Sequence, residues 1–471
     1  MQNQSHSYNS KLFETVINGG YCIGCGACAS IKDSPIIMAI DSFHKFIATA
    51  KNPITESMDN TLNRVCPFSD NGLNEDQIGE ELYQNHSSHH PQLGFSIETY
   101  AGFVNEDSFR KNGSSGGMVT WILTELFRNN IIDGAIHIQP RTPTTNDFRI
   151  FQYQLSTNLE QIALGAKSRY YPIELSEVMT IIRNRPGKYA VVGIPCFIKA
   201  VRLLNKEDKI LNDRIKYCVG LVCGHLKSAR FADLFAWQNG IHPSKLISID
   251  FRSKIDGLNA NQYGVTLKGS TNEKIESITT KPANKLYGTN WGYGFFKYKA
   301  CDYCDDVVGE TADITLGDAW LPRYNKDSNG TNVIIVRDPI IYELIENARK
   351  ENKISLEKIT KDEVVKSQSS GFSHRRQGLA YRLFLADQRG IWRPKKRIKA
   401  ETIINKKIQQ RQVLRIILTE QSHLAFKNAI DENDFSSFKI QLDPILAEYN
   451  KLYRPPLWRR IASKIYHSII R

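Results

Sequence analysis

Apolar residues recur along this chain at two different spacings, and the changes between them outline its elements. In SPIIMAIDSFHKFIATA, from residue 34, short apolar and polar runs alternate about a polar centre. This predicts a hairpin in a small N-terminal unit. The polar stretch DNGLNEDQIGEELYQNHSSHHPQLG follows and reads as a linker. From about residue 98 the pattern becomes αβ. GGMVTWILTELFRNN has a helical period, and IIDGAIHIQ follows as a strand. KYAVVGIP is an unbroken apolar strand that runs straight into the helix CFIKAVRLLN. IKYCVGLVCG is another, followed by the helix ARFADLFAWQNG with Ser228 as its expected N-cap. Apolar strands alternating with helices predict a buried, mostly parallel sheet. LISIDFRSK, QYGVTLKG, ADITLGDAW and TNVIIVRD then enrich the chain in strand, and from about residue 355 it is helical and basic.

These elements predict an α/β protein, α+β overall, in five segments. They are an N-terminal unit over 1–70, a linker over 71–97, an α/β core over 98–245, a strand-rich part over 246–350 and a basic helical extension over 351–471. With 471 residues, 41% of them hydrophobic, the chain is long enough for two or three packed units. A charged fraction of 24% is that of ordinary globular protein. The polar start MQNQSHSYNSKLFETV does not resemble a secretory signal, and no apolar run reaches the roughly 18–20 residues of a membrane span. The expected location is the cytoplasm, where thiols stay reduced. Nine cysteines there favour metal or cluster ligation over disulfides. A net charge of +13 is either a solvated basic surface or a footprint for an acidic partner: anionic lipid, an acidic redox protein or nucleic acid.

The cysteines sort into two sets. Cys22, Cys25 and Cys28 stand at two-residue spacings in YCIGCGACAS, and the distant Cys66 is followed by Pro67. Such a loop curls around a cube and presents three thiolates to three irons, while Gly24 and Gly26 permit the turns. This is the bacterial-ferredoxin type of run with its C-P ligand displaced, and it predicts a [4Fe–4S] cluster rather than structural zinc. In the second set, Cys196 and Cys223 sit at the carboxyl ends of two predicted strands, the sheet edge where open α/β folds bind ligands. Cys301 and Cys304 form a C-x2-C and bring the set to four. Iron–sulfur and zinc both fit this second set. Cys218 falls on the opposite face of its strand and reads as core packing. His86, His89 and His90 read as a solvated loop.

RKNGSSGGMVTWIL places Asn112, Gly113, Ser114, Ser115, Gly116 and Gly117 before a helix. Small residues there let backbone N–H groups and two hydroxyls face an anion at the helix's positive end, although a simple helix start looks the same. GAKSRYY offers Lys167, Ser168 and Arg169 to a phosphate or a carboxylate. Neither a G-x-G-x-x-G nor a Walker A motif is present.

In this order, CIGCGAC, CP, NGSSGG, GAKSRYY, GIPC, GLVCG, DFRSK, CDYC and ADITLGDAW resemble the coenzyme F-420 hydrogenase/dehydrogenase beta-subunit family, which also includes 7-hydroxymethyl chlorophyll a reductase. The resemblance covers roughly residues 15–345. It implies FAD in the α/β core, at the Ser114–Gly117 turn with GAKSRYY nearby, and a proximal [4Fe–4S] cluster on Cys196, Cys223, Cys301 and Cys304. Cys22, Cys25, Cys28 and Cys66 would then hold a distal cluster in a fused ferredoxin-like unit. Asp318 and Trp320 would lie near the cofactors, and Arg252 and Lys254 near flavin phosphates or substrate. The implied function is an oxidoreductase that passes electrons from a ferredoxin-like donor through both clusters to FAD and on to a small organic substrate. Two other classes compete: a non-catalytic electron-transfer subunit and a zinc-stabilised binding module. His225 is a candidate proton donor. The C-terminal PPLWRRIASKIYHSIIR reads as a basic amphipathic helix, suited to an anionic inner membrane face or to packing on the domain. RPKKRIK adds charge without a nucleic-acid motif, so no nucleic-acid partner is expected.

Overall fold

The unbroken apolar runs become the centre of one sheet. Tyr189–Gly193 and Asn332–Val336 are buried at every position, because protein covers both faces of the sheet. The computed structural model describes residues 10–144, 147–271, 274–403 and 405–454. The main sheet has eight strands. In spatial order they are Ile354–Lys358, Glu98–Val104, Asn332–Val336, Ile314–Asp318, Ile215–Leu221, Tyr189–Gly193, Gly134–Pro140 and Phe151–Ser156. The protein is therefore α/β, but the sheet is mixed rather than mostly parallel. The run from Ile314–Asp318 to Gly134–Pro140 is parallel, and the pairings outside it are antiparallel. Parallel neighbours need a long crossover. The connections from Gly134–Pro140 to Phe151–Ser156 and from Ile314–Asp318 to Asn332–Val336 carry no long helix, so those strands turn back.

Met118–Arg128 and Pro339–Lys350 bury Trp121, Leu126, Ile341 and Ile345 in one core. Ser176–Asn184 and Pro195–Glu207 bury Ile182, Phe197, Val201 and Leu204 in another. Each such side chain contributes about 1.5–3 kcal/mol by leaving water. The sheet takes strands from both sides of residue 245. Residues 246–279 add a separate antiparallel sheet of Leu246–Ser253, Gly264–Thr271 and Lys274–Thr279.

Three local expectations change. Ser228 does not cap the helix Arg230–Gln238, which starts after Ala229. Its N–H donates to the Phe296 carbonyl and its buried hydroxyl has no partner, so the chain enters the helix one residue later. The apparent linker is folded: the helix Glu75–Tyr83 starts on an Asn74–Gln77 capping box, and Ser88–His90 pairs with Gly94–Ser96. Few apolar residues mark this stretch, yet Ile78, Tyr83 and Leu93 are all buried. The three histidines do not converge. His86 meets the Arg337 carbonyl, His89 packs edge-on to Phe95, and His90 faces Asp362.

The C-terminal extension is not an appendage. Lys406–Glu432 and Phe435–Lys451 pack on the loop around Phe296 through Phe426 and Phe438. Before them, a strap pins distant parts together. The Trp392 carbonyl accepts from the Tyr21 hydroxyl, and Lys395 N–H donates to Asp70. Arg397 grips Glu310 with two hydrogen bonds of 2.6 and 2.8 Å, and it also pairs with Asp76, Asp305 and Glu75. The amphipathic stretch 455–471 lies outside the described residues. Among those described, no helix is long and apolar enough to cross a membrane.

Candidate functional site

Cys22, Cys25, Cys28 and Cys66 converge. Each is held in its protonated form first by burial, and for Cys25, Cys28 and Cys66 the negative charge of neighbouring sulfurs adds to this: Cys25, Cys22 and Cys66 all act on Cys28. The Cys66 thiol is pushed up to about 12. Gly24 and Gly26 make the loop possible, with φ of 69° and 80°. A Cβ on Gly24 would lie 2.6 Å from the Phe46 carbonyl oxygen, and one on Gly26 2.6 Å from Glu174. The loop is thus pressed against the hairpin and against the core, where Leu175 N–H donates to the Cys25 carbonyl.

The second set also comes together. Tyr189–Gly193 and Ile215–Leu221 are adjacent parallel strands, so Cys196 and Cys223 just beyond their carboxyl ends share one edge. Cys301 lies in the short turn Lys299–Tyr303, with Cys304 ending it. The four cysteines line one small void together with Ile23, Phe68 and Arg375. Cys301 Sγ accepts from Leu226 N–H at 3.3 Å, a bond that favours a thiolate. Among the described residues, no three His, Cys, Asp or Glu side chains are grouped as a single metal ion would need. Eight thiols in two tetrads, the second around a small void, form a donor set that suits metal–sulfide clusters. Cys218 stands apart beside Asp313 and Arg202.

The two sets are neighbours. Cys25 and Cys196 interact electrostatically, and Tyr153 feels both. Cys223 then lines the small void and also a much larger cavity of about 820 Å³. Gly113, Ser114, Ser115, Gly117, Lys167, Ser168 and Arg169 all line that cavity. Ser168 N–H donates to Ser114 Oγ at 2.9 Å, which joins the two segments that the sequence had singled out. Asn112 stays exposed and bonds to Ser108. Gly116 serves packing: a Cβ there would lie 2.7 Å from the Gly102 carbonyl oxygen.

The cavity is basic. Arg252 pairs with Asp318 at 2.5 and 3.1 Å, and its guanidinium lies over Tyr263 and Trp320. Lys254 donates to the carbonyls of Arg110 and Ser115 at the edge of the turn. Burial, then Lys167, Arg110 and Arg252, push its ammonium down to about 8. Burial also pushes Arg169 down to about 10. The Nε atoms of Arg169 and Arg252 and the Nε2 atom of His225 are buried without a hydrogen-bond partner, as in a site shaped for a polar ligand.

Sequence reasoning missed the residues beyond 362. Gln368, His374 and Arg415 line the cavity. Arg375 is 1% exposed and borders the second thiol set. Burial alone would push its guanidinium down; Cys304, Cys223 and Cys301 hold it up. The basic run HRRQG was the one signal, and it reads as a solvated helix face.

A mixed α/β sheet with its large cavity at the carboxyl edge of the parallel strands defines an α/β protein of the open-sheet class, whose ligands bind at that edge. The chain belongs to the coenzyme F420 hydrogenase/dehydrogenase beta-subunit family. Residues 99–180 match the profile of that subunit's N-terminal part and residues 187–362 that of its C-terminal part. Membership places it among oxidoreductase and electron-transfer proteins. An uncharacterized protein of Methanocaldococcus jannaschii is 24% identical over 351 residues, covering 69% of this chain and 86% of that one. The coenzyme F420-dependent sulfite reductase of the same organism is 24% identical over 374 residues, 75% of this chain but half of the reductase. A chain of the F420-reducing [NiFe] hydrogenase complex from Methanosarcina barkeri aligns over 62% of this chain and 94% of its own, with a TM-score of 0.46 and 17% identity.

Proposed function

We propose that the chain is an iron–sulfur flavoprotein. In this reading it passes electrons from a ferredoxin-like donor through two [4Fe–4S] clusters to FAD and on to a small organic substrate. The observation that carries this reading is continuity: the first thiol set adjoins the second, and Cys223 of the second walls the large cavity. When bound, clusters exchange single electrons and a flavin one or two, so the pair links a one-electron donor to hydride chemistry.

The chain's own residues have distinct parts in this. Cys22, Cys25, Cys28 and Cys66 would hold the outer cluster, and Cys196, Cys223, Cys301 and Cys304 the inner one. Leu226 N–H and Arg375 stabilise negative charge on the inner sulfurs. The Ser114–Gly117 turn, Lys167 and Arg169 would receive the flavin phosphates, with Lys254 adding charge from the carbonyls at the turn's edge, and the apolar walls exclude water. Because Lys254 carries its charge below about 8, affinity for FAD or ADP at this turn is expected to fall as pH rises through that value. Lys254→Met should bind more weakly at neutral pH and lose that step. Equilibrium dialysis across pH checks this; an unchanged step in the variant removes Lys254 from the site.

Anaerobic purification followed by iron, sulfide and flavin assays and an absorption spectrum tests the whole reading. Brown, flavin-bearing protein is the expected result. Colourless, zinc-loaded protein would overturn it. A second reading is favoured by the family's description as a beta subunit and by the chain's spanning half of the sulfite reductase. The chain would then hand electrons to a partner protein, and substrate turnover by the isolated chain with reduced viologen separates the two.

A further inference from the structure

The large cavity holds a second basic group whose contacts run to Trp291, Gly292 and Phe295 rather than to the Ser114–Gly117 turn. Lys227 is 2% exposed and has no carboxylate partner among the described residues. Its ammonium donates to the Phe295 carbonyl at 2.5 Å and lies over the rings of Phe231 and Trp291. Its nearest cation, Lys297, is already paired with Asp302 at 2.5 Å. His225 packs against Trp291 at 4.5 Å. Arg415, from the long helix Lys406–Glu432, donates to the Gly292 carbonyl and to the Tyr449 hydroxyl and pairs with no carboxylate among the described residues. Lys227, Lys297, Arg415 and the His225 ring all face the cavity, whose lining among the described residues contains one acidic side chain, Asp318, itself bonded to Arg252.

A buried cation such as Lys227, with no counter-charge beside it, is costly unless something negative completes it, and the half-buried Arg415 stands at the same cavity. The neighbouring walls are aromatic: Tyr170, Phe231 and Trp291 surround the same space. We propose that His225, Lys227, Trp291 and Arg415 form the binding site for a small organic substrate with an oxyanion head and a flat apolar body. The inference rests on the flavoprotein reading for the substrate's part in electron transfer. Lys227 and Arg415 take the oxyanion, His225 Nε2 supplies a further polar contact, and the rings take the body. Arg415 and the wall of Gln368 and His374 lie beyond the residues matched by the family profiles. The C-terminal extension thereby becomes the part of this chain that sets which anion enters.

Calorimetry on full-length, anaerobically purified protein tests this with benzoate and phenyl phosphate as charged probes and benzamide as the neutral one. The charged probes are expected to bind at least about tenfold more tightly than benzamide, and the tighter of the two identifies the head as carboxylate or phosphate. Lys227→Met and Arg415→Gln should each weaken the preferred probe by about tenfold, with iron and flavin contents unchanged. Excess ADP, which probes the Ser114–Gly117 turn, should not displace it. Equal binding of benzamide, no binding of either anion, displacement by ADP, or wild-type affinity in Arg415→Gln would each overturn the proposal. Iron loss in Lys227→Met with probe binding intact would make that lysine a counter-charge of the thiol set instead. Should Lys227→Met fail to fold, Arg415→Gln decides alone. Protein that binds the probe yet carries neither iron nor flavin would sink the redox reading and leave the anion site standing.

Discussion

Cys196→Ala protein, purified without oxygen, is expected to keep about half of the wild-type iron and sulfide. Cys196 belongs to the set of Cys223, Cys301 and Cys304 around one void, whereas the outer set joins Cys22, Cys25 and Cys28 of one loop to Cys66 at the end of the helix Glu56–Val65. Removing one of four ligands should empty the inner site and leave the outer one filled. Cys218→Ala is the control and should keep all the iron, because Cys218 faces Asp313 and Arg202. Iron and sulfide per chain, read beside circular dichroism, decide the matter. Full retention in Cys196→Ala, or total loss in a folded chain, would contradict the partition into two sets. Reduction of the bound flavin by an external one-electron donor should also slow severely in this variant, since the link next to the cavity is gone.

Arg397→Met is expected to destabilise the fold by about 1–3 kcal/mol, because Glu310 loses two charge-assisted hydrogen bonds while Arg376 and Lys396 still face the buried acids. Glu310 and Asp305 are almost completely enclosed, and Arg397 contacts both as well as Glu75. Burial alone would raise the Asp305 carboxyl; Lys396, Arg397 and Lys199 together hold it well below the usual carboxylate range. The strap also joins the N-terminal unit, through Tyr21 and Asp70, and the helix Glu75–Tyr83, through Asp76, to the loop that follows Cys304. Urea unfolding measures the loss. A change below about 1 kcal/mol would mean that the strap is dispensable, as exposed ion pairs are.

Much of the site is legible locally. C-x2-C-x2-C needs only a loop with glycines at positive φ, so spacing alone picks out Cys22, Cys25 and Cys28, while Cys66 is marked only by the proline after it. An apolar strand ending in Pro195–Cys196 or Val222–Cys223 shows its carboxyl edge, so the pairing of those two cysteines can be read from alternation of strand and helix. The Ser114–Gly117 turn and the Lys167–Arg169 segment are visible as small and basic residues before or after elements, although only the Ser168–Ser114 hydrogen bond joins them. Sheet order is less legible. The antiparallel strands Asn332–Val336 and Ile354–Lys358 join across long stretches of sequence to Glu98–Val104, and apolar content does not encode that partner.

The residues hardest to see were Arg375, Arg382, Lys227 and Lys297. On a helix or loop a basic side chain usually meets water, and nothing in the neighbouring sequence says otherwise. Each is buried here because remote groups meet it: Arg375 reaches the Gly224 carbonyl, and Arg382 the Asp302 carbonyl and Gln412. By itself, the sequence determined the α/β class and the family and marked out the Cys22–Cys28 run, since strand–helix alternation, motifs and local spacing are properties of short segments. Only the tertiary structure decided that the two sets adjoin, that Cys223 opens onto the cavity and that the C-terminal extension builds one of its walls. Those depend on long-range burial of charge, which is a property of the assembled fold rather than of any stretch of chain.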